Sequence, residues 1–119
     1  MDLSVKEDDL RQRLLPFTEQ EWDCVYAPAI EGGHPEHDLL GRVASSLFRN
    51  VRYYSTYKDP AVPPRGQHAI TPTKEEIDLK NRALDCYASQ LLLNDVRVHF
   101  DTVRGKAEYL NDSPSHDPV

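Results

Sequence analysis

Glu31-Gly32-Gly33-His34-Pro35-Glu36-His37-Asp38 is the stretch on which the reading of this chain turns. A short apolar run, residues 25–30, precedes it, and a run with helical spacing, residues 39–48, follows. Two histidines and three carboxylates fall within eight residues, beside a Gly-Gly pair that lets backbone come close to a ligand. Imidazole binds metals or carries protons near neutral pH, so chemistry would sit here. In an open parallel sheet, ligands bind beyond the carboxyl ends of the strands, and a His-Pro-x-His stretch after a buried strand occupies that position. Residues three apart at a helix start share a face, with Cβ atoms about 5–6 Å apart. His34 and His37 can therefore serve one site, as two ligands or as one ligand and one acid.

Working outward, Leu39, Leu40, Val43, Ala44, Leu47 and Phe48 form one helical stripe. Residues 24–29 read as a buried strand, and residues 51–56 as a second, rich in β-branched and aromatic side chains. Strand, helix and strand within about 33 residues is the length of one βαβ unit. Upstream, Ser4 and Glu7 have the spacing of a capping box for a helix over residues 5–15, which Pro16 stops. A turn over residues 17–23 carries Trp22. Downstream, residues 57–71 hold three prolines and a glycine and read as a loop that could be a lid or rim. Thr73 and Glu76 form a second capping box, opening a helix with Ile77, Leu84, Tyr87, Ala88 and Leu91 on one face. Lys80 shares that face and is expected to snorkel. Residues 96–103 fit a helix or a strand equally well. The domain is expected to span residues 1–111, with a flexible polar tail over 112–119.

A chain of 119 residues is one domain at most. An apolar fraction of 39% and nine prolines make it lean for a self-sufficient one. The net charge of −6 is dispersed, with no basic stripe, which argues against nucleic acid and anionic membrane as partners. No window approaches the roughly 20 apolar residues of a membrane span, and residues 1–9 lack the apolar core of a signal peptide. Cys24 and Cys86 have no spacing of a disulfide framework or zinc knuckle and read as reduced core thiols of a cytoplasmic protein.

The stretch from Tyr26 to Asp38 resembles the second motif of the PIG-L/LmbE-like N-deacetylases, zinc-dependent hydrolases that remove acetyl groups from N-acetylglucosamine-type sugars and related N-acyl substrates. Tyr53-Tyr54-Ser55-Thr56 and the later K-x-x-A-L-x-x-Y-x-S-Q pattern from Lys80 to Gln90 resemble that family too, in the same order. The likeness covers most of residues 10–110. It implies an α/β, Rossmann-like (LmbE-like) parallel-sheet fold, of which this chain would be the C-terminal part, one βαβ unit plus C-terminal helices. It also implies Zn2+ as cofactor, His37 as a metal ligand, and His34 as the catalytic group beside the substrate carbonyl. Gly32, Gly33 and Asp59 would be substrate-binding. The expected chemistry is metal-assisted: zinc polarises the amide and activates a water, and a carboxylate takes the proton.

Two departures qualify the resemblance. Glu36 stands where the family usually has aspartate. More importantly, the family's His-Pro-Asp-Asp-type first motif, source of the other zinc ligands and the base, has no counterpart here. A catalytic zinc takes about three protein ligands, and the matched motif supplies one. His68, His99 and His116 read as solvated or structural. The chain is therefore expected to be inactive alone and to need an N-terminal-half chain to complete the site, with self-association at an uncovered sheet edge. One alternative is a non-catalytic, degenerate family member acting as a binding or interaction module. Another is a free-standing metal-binding domain using His34, His37 and a downstream histidine.

Overall fold

A computed structural model describes residues 3–56 and 59–114. The fold is mixed α/β: helices α1 (Leu3–Leu14), α2 (Pro35–Leu47), α3 (Lys74–Asp85) and α4 (Asn94–Val103) accompany strands β1 (Val25–Pro28), β2 (Val51–Tyr54), β3 (His68–Ile70) and β4 (Glu108–Asn111). The four strands form one sheet in the order β1-β2-β4-β3.

The βαβ unit is present. β1 and β2 pair in parallel, Val25 opposite Val51 through Pro28 opposite Tyr54, with α2 as the connection. Alternation along β2 buries Val51 and Tyr53 and exposes Arg52 and Tyr54, the pattern expected of a strand with one covered face. Ala27, Ala29, Ala44, Val51 and Tyr53 form the core, with Val25 and Phe48 packed against it, and Val43 of α2 is wholly buried. Small side chains dominate because α2 lies very close to β1. A Cβ added at Gly41 would stand 2.5 Å from the Pro28 carbonyl oxygen and 3.3 Å from Ile30 Cγ1. No residue but glycine fits that contact without displacing backbone.

The α/β class expected from the sequence is found, with a sheet that is mixed rather than parallel throughout. β4 lies between β2 and β3 and runs antiparallel to both. β3 falls in what the sequence presents as a proline-rich loop, and all three of its residues are exposed. Its hydrogen-bonding partner arrives about forty residues later in the chain, out of reach of any local pattern. At the inner end of this pairing Asn111 is buried and its side-chain oxygen accepts the Gln67 N–H at 2.9 Å. Residues 112–114 of the expected tail are tied down. Asp112 N–H donates to Gln67 Oε1 (2.9 Å) and Ile30 N–H donates to the Pro114 carbonyl (2.6 Å). The rest of the expected tail, His116 included, lies outside the described residues.

The helices also depart from expectation in places. α1 already includes Leu3, so Ser4 lies inside the helix rather than at its cap, and the Glu7 carboxylate meets Arg11 one turn on at 3.3 Å. The Thr73/Glu76 capping box is formed, with both reciprocal hydrogen bonds. α3 stops at Asp85 rather than continuing through Leu91. Arg104, just past α4, donates to the Asn81 carbonyl (3.4 Å) and to Asp85 Oδ1 (2.6 Å), satisfying the end of α3. The chain then tightens into a single 3-10 turn, Gln90–Leu92, and residues 96–103 are helical. Cys86 is exposed at the end of α3 rather than buried in it, Cys24 is half-buried, and both thiols are free. Among the described residues no helix is long and apolar enough to cross a membrane.

β1 is an edge strand. Val25 and Ala29 donate their N–H groups toward the β2 side, to Asn50 (2.8 Å) and Tyr54 (2.9 Å), so the main-chain edges of Tyr26 and Pro28 are turned away from β2. Proline has no N–H to offer there, and its carbonyl abuts Gly41. This is how natural sheets blunt an edge. Beside it lies an apolar groove of about 380 Å3, whose walls include Phe17, Trp22, Tyr26, Leu40 and Phe48.

Candidate functional site

The loop after β1 is built by its own carboxylates. Gly32 adopts φ +80°, a conformation that favours glycine, and this turns the chain back. The N–H groups of Glu31 and Gly32 then both point at Asp38, at 3.1 Å to Oδ1 and 3.2 Å to Oδ2. Asp38 lies in the first turn of α2, where negative charge also suits the helix N-terminus. Glu31 reaches across to the segment after β2, its Oε1 accepting the Thr56 N–H at 2.6 Å. Glu36 faces away and pairs with Lys6 of α1 at 2.7 Å. That hydrogen bond, reinforced by the ammonium charge, holds the Glu36 carboxyl below its usual pKa of 4.5. The three carboxylates of the stretch thus shape the loop and fasten it.

His34 is the N-cap of α2, with φ −132°, and its carbonyl accepts the Asp38 N–H at 3.0 Å. Pro35 fills the first helical position. His37 follows within the first turn, and the two rings come together with centroids 4.6 Å apart at an angle of 44°. The structure therefore brings both sequence-predicted histidines to one place, at the carboxyl end of a parallel strand. Gly32 and Gly33 are exposed beside them. Asp59 heads a turn of its own, accepting the Ala61 N–H on Oδ1 (3.0 Å) and the Val62 N–H on its carbonyl (3.0 Å).

The residue the sequence does not single out is His99. It lies within electrostatic reach of Glu31, His34 and Lys80, although it comes from α4. Burial lowers its pKa below 6.5; the Glu31 carboxylate opposes that shift, and His34 and Lys80 add to it. Lys80 is itself held at the edge of this region, pairing with Glu108 Oε1 at 2.6 Å. Nothing in the local pattern marks His99, because only the fold carries α4 back to the loop. Gly41 could have been found: a glycine inside a helical run often marks close packing, and here it sets how near α2 and its histidines sit to β1.

The described residues do not make a complete zinc centre. Among the described residues no group of three or more His, Cys, Asp or Glu side chains is arranged to hold a metal ion, and Glu31, Glu36 and Asp38 are engaged as described. Neither His68 nor His99 forms such a group with His34 and His37; His116 lies outside the described residues. What the arrangement supplies is a pair of adjacent imidazoles on a rigid helix start, able to donate or accept hydrogen bonds to a bound polar group. No family model, characterised protein or solved structure gives a match to this chain.

Proposed function

We propose that this chain is the C-terminal part of a zinc-dependent amide hydrolase resembling the PIG-L/LmbE-like N-deacetylases, acting on an N-acylated sugar or related substrate. The observation that carries the reading is the pairing of His34 and His37, rings 4.6 Å apart, at the carboxyl end of parallel strand β1. A βαβ unit with a ligand-facing loop after its first strand fits a Rossmann-like arrangement. In this reading His37 would be one ligand of a zinc whose remaining ligands, and the base, would come from an N-terminal-half chain. Zinc so bound would act as a Lewis acid on the amide. His34 then hydrogen-bonds the carbonyl oxygen as negative charge develops on it, and Glu31 and Asp38 hold the loop so that this contact needs no rearrangement. The two free thiols fit the reducing cytoplasm.

The test is reconstitution. The chain alone, with zinc added, is expected to release no acetate from N-acetylglucosamine and to bind zinc weakly. Mixed with a polypeptide carrying a His-Pro-Asp-Asp-type motif, it should acquire zinc and activity, and His37→Ala should abolish both. Tight stoichiometric zinc on the isolated chain would overturn the division of the site between two chains.

A second reading is a non-catalytic family member serving as a binding module. Its support is that the loop's three carboxylates are taken up in holding structure. Ligand binding that persists without any metal in every combination of chains would favour it.

A further inference from the structure

The apolar groove beside β1 plays no part in the reading above. Phe17, Trp22, Cys24, Tyr26, Leu40 and Phe48 are among its walls, and no charged residue is among the described residues that line it. Its outer aromatic side chains are uncovered: Phe17 is 49% exposed, Trp22 46% and Tyr26 62%. Such side chains are ordinary when scattered singly, but grouped around a concavity they mark a contact surface. The wall is braced from behind. Trp22 Nε1–H donates to the Phe17 carbonyl at 2.8 Å, the Thr18 hydroxyl donates to the Leu15 carbonyl at 2.6 Å, and Asn50 Nδ2 donates to the Asp23 carbonyl. A preorganised wall spares an occupant the cost of ordering it. Trp22, Val25 and Phe48 also line a second depression, of about 530 Å3, which continues the groove. Its character is opposite. Glu19, Glu21 and Asp23, all exposed, line it, and Arg49 is the one basic residue among the described residues that do.

We infer that groove and depression together form a docking site for a basic amphipathic helix of a partner protein. Its apolar side chains fill the groove, and a lysine or arginine beside them lies over Glu19, Glu21 and Asp23. Charge complementarity selects this occupant. A second copy of this chain, at net charge −6, or an anionic lipid surface would set like charges against the three carboxylates. A metal ion would make no use of the aromatic wall. Strand addition at β1 is interrupted by Pro28, which has no N–H at the outer edge. A helix needs no such edge, because it reads a groove through side chains three and four residues apart. The inference goes beyond the hydrolase reading and depends on neither zinc nor amide chemistry.

The experiment is a titration of the full chain with a synthetic amphipathic helical peptide of leucines and lysines. Two reporters lie in the groove itself: Trp22, the only tryptophan of the chain, and the thiol of Cys24, with exposed Cys86 as the reference for alkylation. The peptide should move Trp22 emission to the blue and protect Cys24, but not Cys86, from iodoacetamide. Glutamate in place of its lysines, or serine in place of its leucines, should weaken binding by about tenfold or more. Glu19→Gln, Glu21→Gln and Asp23→Asn combined should weaken the lysine peptide about tenfold, as the loss of three exposed charge pairs. Tyr26→Ser, at an exposed position, should weaken it to a similar degree, about tenfold, through the groove. Glu21→Lys with Asp23→Lys should reverse the preference, so that the glutamate peptide binds the more tightly. That reversal is a gain of binding, which an unfolded variant could not produce. Equal binding of the lysine and glutamate peptides would overturn the proposal, as would a Trp22 shift that leaves Cys24 unprotected, or no binding at all. Trp22 emission that changes with chain concentration alone would assign the groove to a second copy and overturn it too. Added zinc or a chelator should change none of these results, so the docking site and the hydrolase reading fail separately.

Discussion

The βαβ unit and the α3–α4 pair start from similar sequence patterns and reach different ends. Both α2 and α3 carry an apolar stripe at helical spacing. In α2 that stripe becomes core: Leu39, Val43 and Ala44 are buried, and Ala44 packs with residues of β1 and β2. In α3 and α4 no residue is buried. Ile77 and Leu84 of the α3 stripe are only half-buried, and Leu92, in the turn that follows, is 86% exposed. Among the described residues, every buried position lies in the βαβ unit, its adjoining loop or β4. A stripe becomes core only where a second face meets it, and α2 has the sheet while α3 and α4 are held largely by polar contacts such as Arg104–Asp85 and Lys80–Glu108. The histidine loop belongs to the well-packed side and His99 to the other. The candidate site therefore sits on the seam between a rigid element and a loosely held one, where ligand binding has most to gain by ordering its surroundings.

The sharpest break in this comparison would come at Gly41. Gly41→Ala sets a methyl against the Pro28 carbonyl, and the expected loss is about 3 kcal/mol, the upper end for overpacking. Urea unfolding measures it, and an unchanged midpoint would mean that α2 can simply lift away. Next comes a matched pair. Val43→Ala should cost about 2 kcal/mol from lost burial and the cavity left behind, whereas Leu79→Ala should fall within about 0.5 kcal/mol of wild type. Equal costs would show that α3 buries Leu79 in solution. A smaller effect is expected from Thr73→Ala, which removes a complete capping box and should cost about 1 kcal/mol. Hydrogen exchange should register that loss at α3 amides while leaving β1 and β2 unaffected.

What was legible in the sequence follows the same division. The strand–loop–helix–strand unit could be read because its signals are local: an apolar run, a Gly-Gly turn, Pro35 at a helix start, and Val51, Tyr53 and Tyr54 in the second strand. The nearness of His34 and His37 followed from helix geometry alone. β3 and β4 could not be read, because His68-Ala69-Ile70 and Glu108-Tyr109-Leu110-Asn111 have too few residues to show a period, and each becomes a strand only through the other. The end of α3 was equally hidden, being set by Arg104 some twenty residues later. For the site, the residues adjacent in sequence were found, and His99, brought in by tertiary folding, was not.

Two surface carboxylates offer the finest test of the contrast. Glu36 is paired with Lys6 on the packed side, and Asp112 is hydrogen-bonded to His68 at 3.1 Å on the β3–β4 side. Both have pKa values lowered from their ordinary 4.5 and 3.8, chiefly by those hydrogen bonds. A depressed carboxyl binds fewer protons in the folded chain than in the unfolded one. Each pair therefore stabilises the fold above the unfolded value and loses that contribution as pH falls through the folded one. Both carboxylates are solvent-exposed, so the effect on overall stability is small and the titration midpoints are the better readout. Followed by NMR, Lys6→Ala should return Glu36 toward 4.5, and His68→Ala should return Asp112 toward 3.8. Because Lys6 stands on a helix packed against α2 whereas His68 stands on a wholly exposed strand, the first pair should outlast the second as mild denaturant is added. Loss of both shifts at the same denaturant concentration would mean that the two regions unfold as one unit, and the contrast drawn from burial would then not extend to their stability.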